Sequence, residues 1–452
     1  MVSGAKLDHL APFLQFALRA PDGDPAGIRI SSIIFIRTVI SFSNPPARNL
    51  PFVDILWYNV LFASTVCFGI APPISGITMR LDSGSINFRL FYLPSDINDS
   101  IVNEFARKIA PPLESLGVDP IAGWVGGRFP LDREISDETA VIGPYVTVQT
   151  LKMERKIPKK LLSSICKQEE LKLMAVRQVN FLSNNDRKEI RESVSKQLKP
   201  TMPPTLENIS CVIDLRNTLL VSDAMSDKQI LALTAAYREV TGHAPKILNP
   251  VSAALKRKHL NAADLKPARF SPDQSVSTPS EQSLGSEFLT WLWWAWENGD
   301  NIWKLPDERS FGIELEGPMY LHRHDAGARR VSLHDGDVLM SAEAETSLRL
   351  GKTVTKIKFT MALGDLTIKC TIDENFAFRG VTLPKSKQRE YNALVEERMA
   401  AIELLHQALF SIYDEFLDQR FDDGKWRKTC KEVSKWIESM PERRGRFKEK
   451  DL

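Results

Sequence analysis

Paired cysteines are missing from this sequence. The five it has, Cys67, Cys166, Cys211, Cys370 and Cys430, lie far apart and form no CxxC. That argues against a disulfide framework or a thiolate zinc site and for free thiols in a reducing cytoplasm. A dominant sign of charge is missing too. With 59 basic and 57 acidic residues the net charge is +2, so any case for a polyanionic partner rests on local clusters. The signatures of catalysis are absent as well. Gly123-Trp124-Val125-Gly126-Gly127 has neither the spacing nor the lysine of a phosphate-binding loop and reads as a turn. No serine nucleophile elbow, no HExxH and no gathering of carboxylates for magnesium is legible. An enzyme, a cofactor and a resident metal are therefore not expected. The apolar run from Pro51 to Pro72 approaches bilayer length, but Asp54 and Asn59 interrupt it, so neither a membrane span nor a cleaved signal is expected.

With 452 residues, 43% of them hydrophobic, the chain can build two or three domains around a sizeable core. Residues 1–78 read as a leader with few charges and poor periodicity, and Met79 reads as the natural start, which would make the leader an upstream translation extension. Region 79–157 is expected to be α+β. Ile86, Phe88, Leu90 and Tyr92 alternate as in a strand, Ile101, Phe105 and Ile109 share a helix face, and Tyr145 to Met153 alternates again. Region 158–265 carries basic helices between Pro158 and Pro200. A ββα unit follows, with a hairpin around Arg216-Asn217-Thr218 and a helix from Ser226 to Gly242. Region 266–287 is rich in Ser, Pro and Gln and reads as a linker. Region 288–384 opens with four tryptophans between Phe288 and Trp296, read as a buried helix, and continues with strands near Val338, at Thr353 to Phe359 and at Leu366 to Asp373. Region 385–452 is a long amphipathic helix and a short charged tail. Val395, Ile402, Leu409 and Phe416 recur every seven residues in that helix, a stripe needing a partner surface in the same chain or in a second subunit.

Positive charge is concentrated in two places. Between Leu151 and Pro200 thirteen basic residues stand against six acidic ones, among them Lys152, Arg155, Lys156, Lys159, Lys160, Arg187, Lys188 and Arg191. Further on, Lys352, Lys356 and Lys358 are expected on one face of a strand, because side chains alternate there, with Ile357 and Phe359 turned to the core. Such a face is wet or meets an anion, since burying unpartnered lysines is costly. Two clusters lining one groove would hold phosphates through counterion release with little base readout. A competing reading is a metal-dependent nucleic-acid enzyme using the His322 and His324 region, with Asp325 or Asp335 as an oxygen ligand.

The order of segments resembles the recombination-associated protein RdgC family. The carriers are Phe88 to Leu93, Gly123-Trp124-Val125, Lys156-Ile157-Pro158, Leu198 to Pro200 before the strand ending in Asp214, Leu289 to Trp293, and Gly351-Lys352-Thr353-Val354-Thr355-Lys356. The similarity covers roughly residues 80 to 384. The resemblance implies an α+β fold of multi-part mixed sheets and helices and a ring-shaped homodimer. It also implies sequence-independent binding of double-stranded DNA, restraint of the RecA recombinase and a cytoplasmic, nucleoid-associated place. Lys352 and Lys356 match the family's Gly-Lys-x-Val-Thr-Lys motif, and Lys156 matches its strand-to-helix junction. Met202-Pro203-Pro204 departs from the phenylalanines that relatives carry at a subunit contact, and the helix after Pro384 is an alternative dimer surface.

Overall fold

A computed structural model describes residues 84–94, 100–258, 270, 280–323 and 329–450, with side chains described to residue 439 and, in the helix that opens at 280, from residue 284. All of them belong to one compact unit. The leader, Pro51 to Pro72 and His324 with Asp325 lie outside the described residues.

The fold is mixed α and β around one large antiparallel sheet. Strand β1 (Ile86–Tyr92) leads to helix α1 (Ile101–Ala106), β2 (Ile121–Gly126), the short α2 (Asp137–Ala140), β3 (Val141–Ile142) and β4 (Tyr145–Arg155). Two helices follow, α3 (Lys159–Arg177) and α4 (Asn184–Leu198), and then β5 (Pro204–Asp214), β6 (Leu219–Ser222), α5 (Asp227–Thr241), β7 (Lys246–Ile247) and α6 (Pro250–Lys258). The rest comprises α7 (Ser280–Asn298), β8 (Ile302–Lys304), β9 (Ser310–His322), β10 (Arg330–Leu333), α8 (Ala342–Arg349), β11 (Thr353–Leu363), β12 (Leu366–Asp373), β13 (Phe378–Thr382), α9 (Tyr391–Arg420) and α10 (Asp423–Lys450).

The main path through the sheet runs β10-β9-β11-β12-β13-β1-β6-β5-β4-β2. β1 is the seam, pairing with β6 on one edge (Arg89 opposite Ser222) and with β13 on the other (Phe88 opposite Phe378). At this seam the helical cover changes sides. Phe91, Leu220, Val148 and Ile209 pack with Phe105 of α1 and with Leu233 and Tyr237 of α5. On the opposite side Phe88, Ile313, Ile357 and Ile372 pack with Trp291 of α7 and with Leu409 and Phe416 of α9. The heptad stripe Val395, Ile402, Leu409 and Phe416 is wholly buried within this chain, so its partner surface is intramolecular.

Several expectations need correction. Gly123 to Gly126 is part of strand β2, not a turn, with Trp124 and Val125 buried on opposite faces. Glycine is required at 123 because the 109–110 segment crosses there, and a Cβ would stand 2.5 Å from the Ala110 Cα. The boundary between 79–157 and 158–265 does not separate two bodies, since β4 pairs with β5 from Tyr145 to Arg155 and α3 with α4 is an insertion at that hairpin's end. The expected linker at 266–287 gives way to helix at Ser280, where Leu284, Phe288 and Trp291 recur at helical spacing and Glu287 pairs with Arg420 at 2.8 Å. No strand forms at Val338, which precedes α8 with Ser341 as its N-cap. The tail after Phe421 is a second long helix, anchored by buried Val433, Trp436 and Ile437.

Candidate nucleic-acid interface

Among the described residues, the change of cover at β1 leaves one side of the β1 to β10 half of the sheet without an apolar lining. Along β11, β12 and β9 the residues facing the core are Ile357, Phe359, Met361, Ile368, Cys370, Ile372, Ile313 and Leu315. Alternation therefore turns Lys356, Lys358, Thr360, Lys369, Thr371, Asp373, Glu314 and Glu316 outward. Arg89 on β1, Arg379 on β13 and Arg330 on β10 join them by cross-strand register. These six cations share the face with Glu314, Glu316 and Asp373, and the Glu374 carboxyl lies within the electrostatic reach of Arg330 and Asp373.

The local geometry ties this face together. Lys358 Nζ meets Glu316 Oε2 at 2.8 Å, Lys369 approaches the other oxygen at 3.9 Å, and Thr360 Oγ1 donates to Glu316 at 2.6 Å. Lys358 and Thr360 hold the Glu316 carboxyl below its usual range. Lys356 has no acidic partner among the described residues. Its ammonium lies 4.6 Å from the Tyr320 ring centroid, and burial, followed by Arg379, draws its pKa below the ordinary lysine value. Arg379 reaches Asp373 at 3.5 Å, while Asp373 Oδ1 accepts the backbone N–H groups of Asn375 and Ala377 at 3.0 Å and so fixes the turn into β13. Arg89 is 8% exposed and donates to the Asn375 carbonyl at 3.3 Å. Its Nε is buried without a partner, and burial pulls its pKa down against the opposing pull of Asp373.

Lys352 does not share this face. A register shift between Val354 and Lys356 places an extra residue at Thr355, so Val354 and Ile357 both face the core and strict alternation fails. Lys352 lies before the bulge, 8% exposed, with its backbone N–H bonded to Ser347. Lys356 and Lys358 stay together.

The basic residues of 152–191 fall into three groups. Lys152 pairs with Glu154 at 2.9 Å, and Lys156 pairs with Glu154 at 2.8 Å and with Glu207. These bonds hold the Glu154 carboxyl at about 2, through Lys156 first and Lys152 second. Arg155 is structural, its guanidinium donating to the carbonyls of Met202 and Leu116. Lys159 and Lys160 are exposed in the first turn of α3, which has no acidic residue, so they add to the positive end of the helix dipole. Arg187 and Arg191 stand one turn apart on α4, exposed and without an ion pair among the described residues, whereas Lys188 approaches Glu192 at 4.0 Å.

Register relates the two regions. Lys152 stands opposite Glu207, two residues from Ile209, and Ile209 is on the same side as Phe91 and hence Arg89. Lys152 and Lys356 therefore belong to the same side of one continuous sheet, six strand spacings or about 29 Å apart by the usual strand separation, with α1 and α5 covering the sheet between them.

Sequence reading missed Arg89, Arg330, Lys369 and Arg379. Lys369 was legible from its alternation with Ile368, Cys370 and Ile372. The three arginines sit singly on separate strands and share a surface only once the strand order is known. Among the described residues no group of His, Cys, Asp and Glu is placed to hold a metal ion, and His334 stands edge-on to Tyr320 at 5.5 Å. No described helix is long and apolar enough to cross a membrane. In comparisons with known proteins, no family model matches the chain and no curated protein matches it.

Proposed function

We propose that this chain is a sequence-independent binder of double-stranded DNA of the RdgC type, a ring-forming homodimer that modulates RecA-dependent recombination at the nucleoid and performs no chemistry. The observation that carries this reading is a sheet face that no described helix packs on along β9 to β13, bearing Arg330, Lys356, Lys358, Lys369 and Arg379 with the buried Arg89 at its margin, on the same side of the sheet as Lys152. Cations spread over five strands suit a backbone of repeating phosphates better than a small anion, because the affinity comes from many modest contacts. Lys159, Lys160, Arg187 and Arg191 on the protruding helices extend the charge. The same helical pair and its connection leave Leu171, Val176 and Phe181 exposed at 55%, 80% and 79%, which supports a role in self-association.

The test is a fluorescence-anisotropy titration on duplexes of unrelated sequence over a range of salt. Neutralising six to ten phosphates lowers affinity by roughly 10³ to 10⁵ between about 50 and 200 mM salt. Replacing Lys356 and Arg379 by Glu flattens the salt slope and weakens all duplexes alike. Salt-independent binding with a preferred sequence contradicts the proposal.

A further inference from the structure

Helix α5 rests on the sheet through Leu233 and Tyr237, both buried with Phe105 and Val148. On its adjacent flank Gln229, Ala232, Ala236 and Val240 follow one another at helical spacing and line, with β2, β4 and β5, a cavity of about 620 Å³. The register of the three strands fixes what lies opposite. Ala122, Lys152 and Glu207 form one row across them, and Trp124, Thr150 and Ile209 form the next. Trp124 and Ile209 are buried in the core under α5. The open lining is therefore Ala122, Gly123, Thr150, Ala232, Ala236 and Val240, each exposed or half-buried.

Shape narrows the choice of ligand. The lining runs along α5 from Ser226 to Val240, about 21 Å at the helical rise per residue, so a volume in the range of small-molecule sites is drawn out into a trough. Its open surface carries small side chains and no accessible ring. A linear chain fills such a space, and a broad ring system does not.

Charge decides which end group the chain carries. Lys108 pairs with Glu239 at 2.9 Å, Lys152 with Glu154 at 2.9 Å, and Glu207 with Lys156. Both carboxylates in the walls, Glu207 and Glu239, are thus already bound to lysines. Lys228, exposed in the first turn of α5, lines the cavity and forms no ion pair among the described residues, while its neighbour Asp227 is not part of the lining. A cationic head group would meet no free carboxylate, and a small hydrated anion would leave the apolar trough unused.

We propose that this trough binds a linear aliphatic carboxylate, its chain between the flank of α5 and the sheet and its carboxylate at Lys228. Burial of methylenes supplies most of the affinity. Lys228, being exposed, adds a modest share that salt screens.

Isothermal titration calorimetry of the full chain with decanoate, octanoate and decyltrimethylammonium tests the assignment. Decanoate is expected to saturate a single site, with octanoate, shorter by a pair of methylenes, weaker on the order of tenfold and the cationic amphiphile weaker by about fivefold or more. Ala232→Trp, which fills the trough from an exposed position, abolishes binding, and Lys228→Gln weakens it about two- to fivefold, both at an unchanged circular dichroism spectrum. Equal affinity for the anionic and cationic amphiphiles overturns the proposal. So does decanoate binding unaltered in either variant, or no saturation up to about 5 mM decanoate. On the unsubstituted protein, decanoate must also shift the methyl resonances of Ala122, Ala232 and Ala236; shifts confined to other alanines overturn the proposal even where a variant fails to fold. The assignment does not rest on DNA binding by the basic sheet face.

Discussion

Glu154 keeps Lys152 and Lys156 from any outside anion, and the same contacts make it an acid-sensitive element of the fold. Its carboxyl is held at about 2 in the folded protein against an ordinary value of 4.5, so the unfolded chain binds the proton more tightly. The stabilisation is fully present above the unfolded value and is lost as pH falls toward about 2. Glu154→Gln is expected to reduce the acid dependence of the urea midpoint measured between about pH 5 and pH 2. The same substitution releases Lys152 and leaves Lys156 with Glu207 alone. If they lie along the path of DNA, affinity at neutral pH rises several-fold in the anisotropy assay. Unchanged affinity would place the pair outside the contact and confine the interface to the β1 to β10 half. At Arg89 burial has the opposite cost: a guanidinium with an unpartnered Nε in the seam strand is expensive to keep there, which marks a position where an outside acceptor is worth most.

Among the elements, the α3–α4 insertion is the most separable. Arg155 and Pro204 are paired residues at the end of the β4–β5 ladder, so everything between them can be replaced by a short Gly-containing turn. The insertion contributes little to the core, α3 burying no residue and α4 only Val194. The trimmed chain is expected to unfold cooperatively, to lose self-association in sedimentation velocity and to bind DNA more weakly by at least tenfold. A trimmed chain that stays dimeric would move the subunit contact elsewhere. The inner strands β1, β4, β5, β6, β11 and β12 and the capped helix α5 were legible in the sequence because strand patterning and the Ser226–Gln229 capping box are local signals. The glycines of β2 misled because their cause, the crossing segment at Ala110, is non-local. The three-lysine face failed because a bulge at Thr355 leaves no mark in a run of alternating residues. Helix α10 was missed because it is largely charged and its few anchoring apolar residues, Val433, Trp436 and Ile437, look sparse beside the stripe of α9.

At the scale of the molecule the two halves of the sheet pair through one strand, and a shared core with α9 ties them further, Glu403 pairing with Arg216 at 3.1 Å. Phe88 of β1 stacks on Phe378 of β13 with ring centroids 4.7 Å apart, both buried in the core that α7 and α9 cover. Phe88→Ala is expected to cost about 3–5 kcal/mol and to leave a single urea transition reported alike by circular dichroism and by tryptophan fluorescence. Two separated transitions would mean that the halves fold independently. The seam also bears on how the protein is made. β1 emerges early from the ribosome and can pair with β6 soon afterwards, but its other edge waits for β13, close to the end of the sheet-forming residues. Through most of translation the nascent chain therefore carries an open strand edge, a template for unwanted pairing. Chains interrupted before residue 378 should be the ones that aggregate or are held by chaperones.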